Sequence, residues 1–414
     1  MIRRGVIMKD PAACGRALVV GLGIAGIATA VRLRQVGWEP VLVERAAARR
    51  SSGYFIVLFG TGIASARRLG VLEAIGDRTH PQLAVYEVNR AGRRAPGMAP
   101  GDLPNLVTKP RQLLRGDIEQ GLFSALPADV EIRYSTVPTR ITQDDSAAEV
   151  TLHDLASGAT VTERFDLVVG ADGMRSTVRK LAFGSEDYLH ALNYMIGVTA
   201  LDAPIEGFGL HEGLALAEPG RSAWTFPFHR HAPSLLFSYR TDDVNAEFSR
   251  PAIESIRAAF GPQPAGPLLE NLFTRFEQAP QYLFDSVHQV KMPRWQHGRV
   301  VLVGDAAWCV TLYAGMGASN AIAGGELLGT MLLRHPGDLS GALREWEARM
   351  RPFIHAEQNN ALVMRTLFTP HDRKEQIMRT VMLRLMQAPV IGSAMGRIMP
   401  GPDMKNKELD VAAV

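Results

Sequence analysis

The sequence predicts an α/β protein: a doubly wound, mostly parallel sheet, an inserted and mostly antiparallel β-sheet, and helices at the C-terminus. Three observations predict it. Short apolar runs that end in glycine or an acid alternate with helix-period segments over 17–184, and again over 299–333. Between them, 185–245 switches to alternating apolar and aromatic residues, the period of antiparallel strands. From 319 onward, helical periodicity dominates. The 414 residues, 46% hydrophobic and 21% charged, suffice for one large domain or two fused ones. The net charge of +3 is scattered along the chain, which argues against a nucleic-acid partner. Two cysteines, Cys14 and Cys309, are too few for a disulfide framework or a metal cluster and fit a reducing, cytoplasmic setting.

Residues 1–15 read as a loose leader. The apolar stretch 17–31 is shorter than the roughly 20 residues a membrane span requires, and a βαβ unit explains every residue in it. Residues 17–20 form a buried strand. Gly21, Gly23 and Gly26 follow at GxGxxG spacing, with Ala25 in the first turn of a helix that stops at Gly37. A second strand, 40–43, ends on Glu44. Gly21 permits the tight turn, Gly23 lets backbone approach a pyrophosphate, and Gly26 lets helix and strand pack closely. The helix N-terminus offers free N–H groups to phosphate, and the terminal acid accepts from ribose hydroxyls. The unit is a dinucleotide site.

The basic segment 45–50 leads through Ser51-Ser52-Gly53 to the apolar run 54–59. Short helices follow over 63–69 and from 70, then a strand over 83–88 and a Gly/Pro/Arg-rich loop over 91–105. A helix is expected over 117–126, a strand over 130–134 and a hairpin over 148–164 turning at Ser157-Gly158. The strand 165–170 runs into Ala171-Asp172-Gly173. Candidate strands 195–198, 214–217, 223–228 and 235–239 form the inserted sheet. Helices are expected at 251–260 and 268–278. The strand 299–303 ends in Gly304-Asp305-Ala306-Ala307, and a second glycine turn, Gly315-Met316-Gly317-Ala318, opens a helix over 319–333. Residues 381–399 are apolar and Met-rich but carry Arg384, Pro389 and Arg397, so they read as packed helical segments.

Three strand ends thus carry polar or glycine signatures, and in a doubly wound sheet such ends meet at one edge where ligands bind. The set, in this order over roughly 16–350, resembles the class A flavin-dependent aromatic monooxygenases of the para-hydroxybenzoate hydroxylase type. The resemblance implies a GR2-type, Rossmann-like FAD domain, discontinuous over 16–184 and 286–350, a substrate sheet over 185–285, and a helical segment over 351–414. It implies FAD held by Gly21, Gly23, Ala25, Gly26 and Glu44. It places Arg115 and a backbone contact at Val137 on FAD, Asp172 at the junction of cofactor and NAD(P)H handling, and Asp305 on the ribityl and pyrophosphate portion. The turn Gly315, Met316, Gly317 and Ala318 lies near the flavin ring. NAD(P)H would reduce FAD, and O2 would form a flavin hydroperoxide that hydroxylates a small aromatic or polycyclic molecule. The flavin does the chemistry, so no side chain is assigned a catalytic role. A monomer or homodimer with no membrane partner is expected.

Departures from the family pattern are Trp308 in place of a histidine, Thr311-Leu312 where proline is usual, and Met316 for glutamine. They leave peroxide handling open. Trp224, Phe226 and Phe228 fall on one strand face by period 2 and, with Tyr239, either stack on the substrate or form ordinary core. Arg45 is either an adenosine contact or solvated. His229 is either a base or a loop residue, and Cys309 is either packing or redox-active. Two other functions stay open. Trp224-Thr225-Phe226-Pro227 partly echoes the WxWxIP signature of flavin-dependent halogenases, though Ser222 replaces the first Trp and 45–101 contains no lysine. A flavin-bound sensor without turnover is the other.

Overall fold

The computed structural model describes residues 14–49, 53–99, 106, 108–184, 186–386 and 405–414. The expected leader falls almost wholly on 1–13 and lies outside the described residues, as do Arg50 to Ser52 and the part of the Met-rich segment beyond 386.

Among the described residues, a six-stranded sheet runs in the order Gln296–His297, Val300–Leu302, Leu167–Gly170, Arg16–Val20, Glu39–Val43 and Glu131–Arg133. All neighbours pair in parallel except the first two. The register aligns Val20 with both Gly170 and Val43, and Gly170 with Leu302. Gly21, Glu44, Ala171-Asp172 and Gly304-Asp305 therefore emerge side by side from one edge, although they are far apart in sequence. Helices Ile24–Gln35 and Gly317–Arg334 pack against each other behind this sheet. Both strands of the first βαβ unit are near-continuously buried, which is why they read as apolar runs rather than as alternating ones.

A seven-stranded sheet has the order Leu283–Val290, Leu189–Ala200, His231–Arg240, Arg221–Phe228, Glu212–Glu218, Ala84–Val88 and Arg94–Pro96. Pairing is antiparallel except between Glu212–Glu218 and Ala84–Val88. The last two strands come from the first sequence segment, and Arg94–Pro96 lies in a stretch expected to be loop. One face of this sheet buries Met195, Phe237 and Tyr239 against helices Ala252–Phe260 and Gly266–Gln278. The other face carries Ile196, Trp224, Phe226 and Leu236 and is met by Met364 and Leu367 of the long helix Leu339–Phe368. A three-stranded sheet, 136–165, and the pair Phe55–Leu58 with Arg111–Leu114 complete the β-structure. No described helix is long and apolar enough to cross a membrane.

Candidate flavin and substrate site

A cavity of about 910 Å3 runs from the edge of the parallel sheet to the underside of the seven-stranded sheet. That is near the upper end of the about 300–1,000 Å3 typical of small-molecule sites. At one end the glycine turn shapes it. Gly21 has φ +105, and a Cβ on Gly26 would lie 1.9 Å from the Gly21 carbonyl oxygen. Helix Ile24–Gln35 starts at Gly23 with no side-chain cap and no acid in its first turn, so its N-terminal amides and partial positive charge are left for a bound anion. The helix Gly317–Arg334 begins at Met316 in the same uncapped way. Two free helix N-termini on one cavity suit a molecule with a pyrophosphate at one end and an electron-accepting ring at the other.

Glu44 sits at the end of its strand. Its Oε2 accepts from Leu22 N at 2.9 Å and its Oε1 from Ala46 N at 2.8 Å, so the carboxylate faces the glycine turn. Arg45 reaches Thr177 Oγ1 at 3.4 Å, and Val137 lines the same cavity. Arg115 Nη2 pairs with Glu119 at 2.8 Å, and a Cβ at Gly23 would lie 3.5 Å from that same Nη2. Ala25, Gly315, Gly317 and Ala318 also line the cavity. Gly26 and Met316 do not. Gly26 works through helix packing, and the Met316 side chain is fully buried in the core.

Asp305 is exposed on the cavity wall, with enough protein packed around it to cut into its hydration. Burial pushes its carboxyl up, and the Arg115 charge opposes this. Asp172 also lines the cavity, but its carboxylate is engaged. It accepts from Ser176 Oγ at 2.5 Å, Thr177 N at 2.6 Å and Val178 N at 3.1 Å. It thereby pins the start of the helix Thr177–Phe183, and burial raises its pKa against those donors. Its geometry makes it an organiser of the loop.

Trp308 turns away from the cavity. It packs with Trp295 and Trp346, with centroids 4.8 and 5.8 Å away, over Gly324, where a Cβ would lie 2.8 Å from the Trp308 ring. The histidine-to-tryptophan departure is thus matched by a glycine across the helix. Cys309 lies on the cavity wall with its thiol held well above the usual range by burial and by Asp305. A thiol so held is poorly nucleophilic, which favours packing. His229 stands in a group with His80 and His211, outside the cavity walls.

At the other end, Trp224 and Phe226 present nearly parallel rings, and Phe55 stacks on Phe226 at 4.0 Å with an 8° interplanar angle. Two expected substrate-lining residues are elsewhere. The strand pairing shifts between Phe226 and Phe228, and Phe228 is buried against Phe55 and His231 outside the cavity. Tyr239 lies on the far face of the sheet, where its hydroxyl donates to Glu247 at 2.8 Å. Its parity follows from its register opposite Met195, which also faces the helices. Sequence reasoning did not single out Phe368, which tilts against Trp224 at 4.9 Å, or Glu87 and Arg379, which form a bidentate pair on the wall at 2.7 Å for both bonds. They come from remote segments that no local pattern links.

Comparison with known proteins agrees with this geometry. Residues 16–338 match the family model described as FAD binding domain. A flavin-dependent monooxygenase from an unknown prokaryotic organism is 28% identical over 348 residues, covering 82% of this chain and 86% of the relative. The crystal structure of tetracycline destructase Tet(51) superimposes with a TM-score of 0.71 at 25% identity, covering 90% of this chain and 96% of that one. Klebsiella pneumoniae HpxO, complexed with FAD and uric acid, shares the fold at 19% identity and a TM-score of 0.71, covering 95% and 99%. The chain belongs to the FAD binding domain family of flavin-dependent monooxygenases. It is an FAD-dependent enzyme of the kind its three strand-end motifs resemble.

Proposed function

We propose that this enzyme uses NAD(P)H and O2 to hydroxylate an uncharged aromatic or polycyclic small molecule in the cytoplasm. The observation that carries the substrate class is the ceiling of stacked rings, Phe55, Phe226 and Trp224, over a chamber that also presents Val198, Leu236, Met364 and Leu367. Flat π-faces favour a flat partner by about 0.5–1.5 kcal/mol per pair beyond area burial. The charges on that wall, Glu87 and Arg379, neutralise each other, so a charged substrate finds no free counter-ion in that pair. The likeness to tetracycline destructase Tet(51) supports a polycyclic occupant. Arg45 and Arg49 on the cavity wall suit the phosphates of a nicotinamide donor, whereas Arg175 beside them is paired with Asp285.

FAD supplies the redox chemistry and oxygen activation when bound. The chain's own residues hold and shield. Glu44 and the amides after Gly23 take the adenosine and pyrophosphate end. Asp305 accepts from polyol hydroxyls. The uncapped start of Gly317–Arg334 offers positive potential where a reduced ring carries negative charge. Trp224, Phe226, Leu236 and Phe368 exclude water. The test is a screen of aromatics against the FAD-loaded protein for stimulated NAD(P)H oxidation. Stimulation with hydroxylated product supports the reading. Chloride-dependent products would point to a halogenase, and background oxidation with every ligand to a flavin-bound sensor.

A further inference from the structure

The segment 405–414 returns to the flavin turn from the far end of the chain. Arg68 grips Asp410 through two bonds of 2.6 and 3.0 Å, Val411 N donates to Thr61 Oγ1 at 3.3 Å, and Arg349 Nε donates to Val411 O at 2.8 Å. Val411 and Ala412 are buried in the main core. These contacts seat Lys407, which is 3% exposed. Its Nζ donates to the Ala314 carbonyl at 2.6 Å and lies 4.3 Å from the centroid of Phe59. Ala314 ends the short helix Leu312–Ala314 and precedes Gly315, which has φ 66. A Cβ on Gly315 would lie 3.8 Å from Nζ, and Lys407 is itself part of the cavity wall. An ammonium taken out of water is costly unless it is used or paired. Among the described residues, the charged group acting on it is the buried Glu357.

We infer that Lys407 is an electrostatic positioning residue for FAD: it fixes the 312–318 turn through the Ala314 carbonyl and sets positive charge beside the ring end of the cavity. This rests on the reading of the cavity as an FAD site. A full positive charge there favours the reduced, anionic flavin over the oxidised, neutral one, adding to the partial charge of the neighbouring helix start. The charge is also adjustable. Burial lowers the lysine to about 8, with Glu357 opposing. Of the other charged groups on its segment, the carboxylates of Glu408 and Asp410 are turned to Thr108 N and Arg68. The positive charge therefore fades as pH rises through about 8.

The experiment measures the midpoint potential of bound FAD by dye equilibration in wild type, Lys407→Met, Lys407→Gln and Lys407→Arg. At pH 7 the Met and Gln variants should favour oxidised flavin by about tenfold, a drop of about 30 mV for a two-electron couple. Gln keeps a donor for Ala314 O without the charge, and Arg keeps the charge and should stay near wild type. The gap between wild type and Gln should close above pH 9. FAD-loaded Met or Gln protein with wild-type potential at pH 7 overturns the inference and leaves the FAD site standing. Wild type that takes up no FAD overturns both.

Discussion

Phe55 and Phe226 stack 4.0 Å apart at 8°, joining the strand beside the FAD turns to the ceiling of the inserted sheet. The glycine-turn side of the cavity and the inserted sheet are thus tied by aromatic contacts, Phe55 with Phe226 and Phe228, and Tyr313 with Tyr194. Trp224→Ala and Phe226→Ala each remove a face from the chamber. Each should raise the concentration of aromatic ligand needed for half-maximal NAD(P)H oxidation by roughly 2–10-fold, corresponding to about 0.5–1.5 kcal/mol per aromatic pair. FAD affinity, followed by flavin fluorescence, should hold within about twofold.

Tyr239→Phe should behave in the opposite way. The variant loses a buried hydrogen bond to the Glu247 carboxylate and leaves the cavity untouched. Bonds to charged groups contribute about 1.5–3 kcal/mol. Denaturant unfolding should show that loss, while ligand-stimulated NAD(P)H oxidation stays at the wild-type level.

The contrast between these residues shows what the sequence could carry. The turn at Gly21, Gly23 and Gly26 and the acid at Glu44 are local, because spacing and chemistry sit within one βαβ unit. Period 2 put Trp224 and Phe226 on one face because they share a strand. It failed for Phe228, where the pairing shifts next to Pro227. It could not rank Tyr239, since which face a residue takes on a different strand depends on register, and a one-residue difference reverses it. Strand Ala84–Val88 was legible as a strand but not as a member of the second sheet, which is a long-range pairing. Lys407 and Arg379 reach the cavity from segments with no motif at all.

Glu44→Ala should weaken FAD binding at least tenfold, about 1.4 kcal/mol. The change removes an acceptor for ribose and also frees Leu22 N and Ala46 N. Isothermal titration of apoprotein with FAD measures it. Gly26→Ala should abolish folded holoprotein, because its methyl would overlap the Gly21 carbonyl oxygen.

Glu218 accepts from Arg90 at 2.7 Å through both oxygens and from Arg221 at 2.7 Å. Burial alone would raise its pKa, but the arginines outweigh burial and hold it below the ordinary carboxylate range. A depressed folded pKa contributes stability above the unfolded value, about 4.3, and that contribution disappears as pH falls through the folded one. Glu218→Gln should therefore lower Tm at pH 7, and its deficit against wild type should shrink as pH drops below about 4.

The measurement that bears most directly on function is oxygen-isotope incorporation under 18O2. FAD-loaded enzyme is supplied with NAD(P)H and an aromatic that stimulates its oxidation. One 18O atom in the product, with none from H2(18)O in the mirrored experiment, is the predicted result. A product that takes its oxygen from water, or stimulated NAD(P)H oxidation that never labels the aromatic, would contradict the hydroxylase reading.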